Sequence, residues 1–177
     1  MAMIKGLGLA LGLVALLPVA GLAQQAQSSN QVSTKTDWSV FVEDNPKECW
    51  GVSIPKKIRN TQNGREVAVN RGQTLLMVSF HPQAQSNGLV SFTGGYPFEK
   101  GSAVTIKIGD SRYELFTEGE WAWAPSPEDD AKIVAAMKRG ADAVVTGMSG
   151  RGTQTEDTFS LLGFTAAIAD AEKRCGS

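Results

Sequence analysis

Beyond residue 35 apolar and polar residues alternate over much of the chain, and a period of two predicts strands. Over residues 36–42 the alternation puts Trp38, Val40 and Val42 on one face. After a turn at Asp44-Asn45-Pro46, residues 49–54 read as a second strand, which Pro55 ends. Residues 59–65 hold Asn, Thr and Gly and read as a loop, and 65–69 as a short strand. Residues 74–81 form a richly apolar run, which predicts a central strand stopped by Pro82. Residues 88–93 follow, and Gly94-Gly95-Tyr96-Pro97 bends the chain. The clearest hairpin covers 103–117: Val104, Ile106 and Ile108 alternate with Thr105 and Lys107, and Gly109-Asp110 is a two-residue connection of the kind tight hairpins use. Trp121 and Trp123 then share a face, and 143–148 and 155–162 read as closing strands.

Two segments carry helical signals. Ser126 suits an N-cap, Pro127 suits the first helical position, and Asp129 completes a capping box. Glu128, Asp129 and Asp130 complement the positive end of the helix dipole, and Lys138 and Arg139 the negative end. Gly140 is placed to be the C′ residue. Ile133, Val134 and Met137 form the inward stripe, and residues 164–174 read as a terminal helix. The fold class that follows is mainly β (α+β): an antiparallel β-sandwich or barrel-like domain with two helices near the C-terminal part.

The N-terminus departs from this pattern. Lys5 precedes an apolar run from Leu7 to Leu17, and Gly21-Leu22-Ala23 offers small residues before a cut at Gln24, so residues 1–23 read as a signal peptide. The run falls short of the roughly 20 residues that span a bilayer. An uncleaved anchor is the rival reading, and with no cysteine near the cut a lipoprotein is not expected. Residues 24–35 are rich in Gln, Ser and Thr and read as a flexible tether. Residues 36–177 are then one domain, exported to the periplasm or beyond, with no integral membrane span left after signal removal.

The chain has a formal charge of −1, or about −2 once Lys5 is removed, which gives no electrostatic case for nucleic acid or anionic membrane. The basic cluster Lys56-Lys57-Arg59 reads as a solvated loop. Cys49 and Cys175 are the only cysteines, and an oxidising compartment favours pairing them; two buried free thiols are the alternative. With one distant histidine they make no metal-ligand set.

No catalytic constellation emerges. His81 is the only histidine, and no G-x-S-x-G elbow accompanies it. A histidine at the end of an apolar strand reads as structural. Glu118 and Glu120 flank Gly119 in a predicted turn and read as a solvated tip. The glycines at 147, 150 and 152 lack the setting and the lysine of a phosphate loop. No catalytic residue, metal or cofactor is expected, and the chain is not expected to be an enzyme. Tyr96, Phe98, Trp121 and Trp123 lie in or beside Gly/Pro-bearing segments and form a candidate binding surface, since aromatics at loop tips favour partner contact. The alternative is that they plug the open ends of the core.

These residues also carry a resemblance. Asp37-Trp38-Ser39-Val40-Phe41, Leu76-Met77-Val78-Ser79-Phe80, the run from Val90 to Phe98, the run from Glu114 to Trp123, the helix from Asp129 to Gly140, Ser149-Gly150-Arg151-Gly152-Thr153 and Asp157-Thr158-Phe159-Ser160-Leu161 follow in an order that resembles the invasion-associated locus B family. Each motif is short, and the order carries the specificity. The resemblance implies a secreted or envelope-associated domain, linked in some pathogens to host-cell entry, with no known catalytic residues. It also implies a cysteine a few residues after the opening tryptophan, where this chain has Phe41 and Val42. The expected function is a non-catalytic binding or structural module for an unknown protein or envelope component. A periplasmic glycan- or small-molecule-binding protein is the alternative, and a hydrolase using His81 a more distant one.

Overall fold

The computed structural model describes residues 30–84 and 86–176. The signal peptide over 1–23 and the first part of the tether, 24–29, lie outside them. The strands are β1 (Gln31–Lys35), β2 (Trp38–Asp44), β3 (Lys47–Ser53), β4 (Lys57–Gln62), β5 (Arg65–Glu66), β6 (Leu75–His81), β7 (Ser86–Thr93), β8 (Ala103–Ile108), β9 (Ser111–Glu118), β10 (Trp121–Trp123), β11 (Asp142–Met148) and β12 (Gln154–Ser160). The helices are α1 (Pro127–Met137) and α2 (Phe164–Cys175). All pairings are antiparallel, in one twelve-stranded sheet of order β1-β2-β3-β6-β7-β10-β9-β8-β11-β12-β4-β5. The mainly β expectation with two helices is met. The sheet is open, with β1 and β5 at its rims, and is not closed into a barrel.

The inner face is built by the predicted alternation. Trp38 and Val40, Leu76 and Val78, Val104 and Ile106, and Ala143 and Val145 are all fully buried. The sheet curls around this face, because Phe92 of β7 meets Phe159 of β12 edge-on, with centroids 6.1 Å apart, across five places in the strand order. The Trp38 indole donates to the Ser160 carbonyl at 3.0 Å, and the Asp37 amide to the Leu162 carbonyl at 3.2 Å, which fastens β2 against the far end of β12.

Both helices fill the gap inside the curl. In α2, Phe164 meets Trp38 at 4.8 Å and Ile168 occupies the space left by Gly51, where an added Cβ would stand 2.7 Å from its Cδ1. Gly163, at φ +88, precedes the helix so closely against Lys35 that a Cβ would lie 1.9 Å from the Lys35 carbonyl oxygen, which only glycine permits. Helix α1 begins as its cap predicts: the Asp129 amide donates to the Ser126 hydroxyl at 3.2 Å, and that hydroxyl donates to the Asp129 carboxylate at 2.8 Å. Ser126→Ala is expected to lower stability by about 1 kcal/mol, read as a drop in thermal midpoint.

Four local readings need correction. The tether segment contains β1: Thr34 faces Ser39 and Lys35 faces Trp38, while Ser33 and Lys35 both reach Asp170 of α2. The segment is held by backbone pairing and two polar side chains, so composition conceals it. Residues 59–65 are not a loop, because Lys57–Gln62 forms β4 and Asn63-Gly64, both at positive φ, turn it into β5. The strand read over 65–69 shrinks to Arg65–Glu66, and the basic cluster has Lys56 paired to Asp37 and Arg59 to Glu66. Gly140 is not the C′ residue of α1, since Lys138 is the cap. Glycine stands there for space, as a Cβ would lie 2.5 Å from Ile108 Cγ2.

Candidate functional site

The outer face of the sheet carries an apolar band, and the register generates it. Across the strands Val52 faces Met77, Met77 faces Ser91, Ser91 faces Trp123, and Trp123 faces Phe116. One pleat away, Leu75 faces Thr93 and Thr93 faces Trp121; on the other side Phe41 faces Trp50. Side chains directly opposite on one face are in contact range. The rings of Phe41 and Trp50 stack at 5.5 Å, Trp121 and Trp123 at 6.4 Å, and Phe116 meets Trp123 at 5.7 Å. Ser91 and Thr93, short and polar, are buried between these larger neighbours. Phe116 is 49 % exposed. Among the described residues neither helix covers this face; both pack on the inner one.

The four predicted aromatics therefore divide into pairs. Trp121 and Trp123 belong to the outer band and are half-buried, with Ala122 between them pointing into the core. Tyr96 and Phe98 do not join them. Phe98 is a core residue in contact with Phe92, and Tyr96 lies edge-on to Phe98 at 5.1 Å with its hydroxyl 2.5 Å from the Thr155 hydroxyl. Burial pushes the Tyr96 phenol above its ordinary range, with the Thr155 hydrogen bond and Arg71 opposing. The aromatic surface of the outer face is thus Phe116, Trp121 and Trp123, extended by Phe41 and Trp50. Phe116 was open to sequence reasoning as the residue opposite Trp123 in a hairpin; Phe41 and Trp50 required the pairing of β2 with β3.

The family model described as Invasion associated locus B (IalB) protein matches residues 38–172. The chain belongs to the IalB family. No curated protein and no solved structure matches the chain. The match takes in the whole aromatic band and Cys49, and ends three residues before Cys175. In this IalB domain Cys49 and Cys175 are joined across a separation of 126 residues. A disulfide and membership of this family are both consistent with an exported protein. Among the described residues no helix is long and apolar enough to cross a membrane, and no three of His, Cys, Asp and Glu gather closely enough to hold a metal ion.

The IalB domain also contains a polar knot that sequence reasoning missed. Arg71, in the irregular segment before β6, donates through both terminal nitrogens to the fully buried Asp157 at 2.8 and 2.6 Å, and through Nε to the Gly94 carbonyl at 2.9 Å. The guanidinium also lies 5.1 Å from the Tyr96 ring centroid. Above it a cleft of about 690 Å³ is bordered by Tyr96, Pro97, Glu120 and Arg151. His81 ends β6 as expected; its Nε2 meets the Ser79 hydroxyl at 2.9 Å and its Nδ1 lies 3.3 Å from Glu48. Asp130 of α1 accepts from the Val90 amide at 2.7 Å. Burial raises its carboxyl above the ordinary range, with that hydrogen bond opposing and the charge of Asp129 reinforcing.

Proposed function

We propose that this IalB protein is exported to the cell envelope and acts there without catalysis, as a binding module that seats a protein or envelope partner on its outer aromatic face. The observation that carries the reading is the uncovered row Trp123–Phe116, continued by Trp121 and by the Phe41–Trp50 stack. Contiguous exposed aromatic surface is costly in water and is a mark of contact sites. Membership of an invasion-associated family and a disulfide add support for an envelope location. In the same reading the curled sheet is a sandwich-like body, its inner faces spent on the core and its outer face left for contact.

A photo-crosslinking amino acid at position 116, with position 162 as control, tests this; Leu162 is 61 % exposed but lies in the turn before α2. Irradiating cells is expected to give a discrete product in the envelope fraction from position 116 and none from 162. Trp121→Ala/Trp123→Ala is expected to retain cooperative melting and lose the product. Cytoplasmic fractionation, or identical products from both positions, sinks the reading.

A further inference from the structure

The aromatic band ends in a groove whose chemistry is more specific than the band itself. Beyond Trp123 the chain turns through Pro125 and Pro127 into α1, and a groove of about 610 Å³ lies where this turn meets the outer face. Its walls include Phe116 and Trp123, whose rings are 5.7 Å apart and inclined at 33°. Among the described residues lining it, the only charged ones are Glu118 and Asp130, and no lysine, arginine or histidine takes part.

Both carboxylates have capacity to spare. Asp130 is only 6 % exposed; its Oδ1 accepts from the Val90 amide, and its Oδ2 has no hydrogen-bond partner among the described residues. Glu118, at the tip of β9, has neither a side-chain hydrogen bond nor an ion pair among them, and the same holds for Glu114 and Glu120 on the flanks. The nearest carboxylate of α1, Asp129, is already held by Ser126 and by Lys132 at 2.9 Å, so Lys132 is engaged outside the groove. The other bases on this side, Lys107 and Arg112, face each other at the far end of the β8–β9 hairpin.

We propose that the groove receives a cationic side chain, an arginine in preference to a lysine, presented by the partner protein that seats on the outer face. The inference rests on the reading of that face as a contact surface and supplies the chemistry of what it contacts. A carboxylate that the fold has already desolvated, with one oxygen unused, gains most from a cation brought to it, because the new charge-assisted hydrogen bond forms at little further loss of carboxylate hydration. A guanidinium suits these walls better than an ammonium. It is planar and weakly hydrated, it can lie against an indole, and its fork can donate to two carboxylates at once.

The test titrates the purified protein with blocked Arg-Gly-Arg, its lysine counterpart and its citrulline counterpart, a neutral isostere of arginine, following tryptophan fluorescence. The arginine peptide is expected to give a saturable change, the lysine peptide a weaker one, and the citrulline peptide an affinity lower by about tenfold or more. Glu118→Gln, an exposed and isosteric change, is expected to weaken the arginine peptide by about tenfold with melting unchanged, and Asp130→Asn to do the same. Equal binding of the citrulline peptide, indifference to Glu118→Gln, or no saturable change overturns the assignment. If position 116 still crosslinks a partner while no peptide binds, the cationic assignment alone fails. If both are lost, the contact surface fails with it.

Discussion

Arg71→Ala is expected to lower the stability of the domain by about 3–5 kcal/mol, the cost typical of stranding one charge of a buried pair. Asp157 is fully buried, and both of its oxygens accept from Arg71. Removing the guanidinium leaves a carboxylate with no water and no cation, and it leaves the Gly94 carbonyl, which accepts from Arg71 Nε, with only the longer bond from the Thr74 hydroxyl at 3.3 Å. The irregular segment between β5 and β6 then loses its anchor to β12. Urea unfolding reads the loss directly, and a domain of this size holds only about 5–15 kcal/mol in total. Arg59→Ala is the matched control. Its partner Glu66 is exposed, as is Arg59 itself, so the expected change is about 0.5 kcal/mol or less. Equal losses from the two variants would show that the buried pair contributes no more than a surface one.

The second large effect belongs to the disulfide. Cys49→Ala/Cys175→Ala is expected to cost about 4 kcal/mol, since the bridge closes a loop with a sequence separation of 126 and removes much of the freedom of the unfolded chain. Its position indicates where the loosened protein opens first. Cys175 is the last residue of α2, and the helix otherwise rests on β2 and β3 through Phe164 and Ile168 and on β1 through the polar contacts of Asp170. Hydrogen exchange in the reduced or doubly substituted protein is expected to rise in α2 before it rises in β6 or β7. Uniform acceleration across the sheet would show that the bridge acts on the whole fold rather than on the helix.

Much of the fold was legible because it is two-sided. Trp38, Val40, Leu76, Val78, Val104 and Ile106 are buried at alternate positions, and each alternation is a visible period of two. The capping residues of α1 were legible for a different reason, since Ser126 and Asp129 satisfy the helix end locally. What escaped has no such signature. β1 and β4 lie at or beside the rims, all of their side chains are exposed or half-exposed, and backbone pairing with a few polar side-chain contacts defines them. The Asn63-Gly64 dipeptide was the available hairpin signal for β4 and β5.

The candidate site was legible by half. Trp121 and Trp123 share a face at a spacing of two, and the structure keeps them together. Tyr96 and Phe98 have the same spacing, but the bend at Gly94-Gly95 directs both toward the core; Gly95 stands at φ +72, with a Cβ position 2.5 Å from Gly72 backbone atoms. The Arg71–Asp157 pair, 86 residues apart, and the meeting of Glu118 with Asp130 across a groove depend on topology that no local pattern encodes.

The rims of the sheet bear on how any neighbour can approach. β5 offers only two residues, Arg65 and Glu66, both charged, and β1 has a register shift between Gln31 and Ser33. Short, charged or irregular rims discourage strand addition, so an incoming chain finds little main-chain template on which to zip. In the proposed contact, recognition then falls to side chains projecting from a broad flank, where a point substitution is expected to change what is held while the scaffold stays the same.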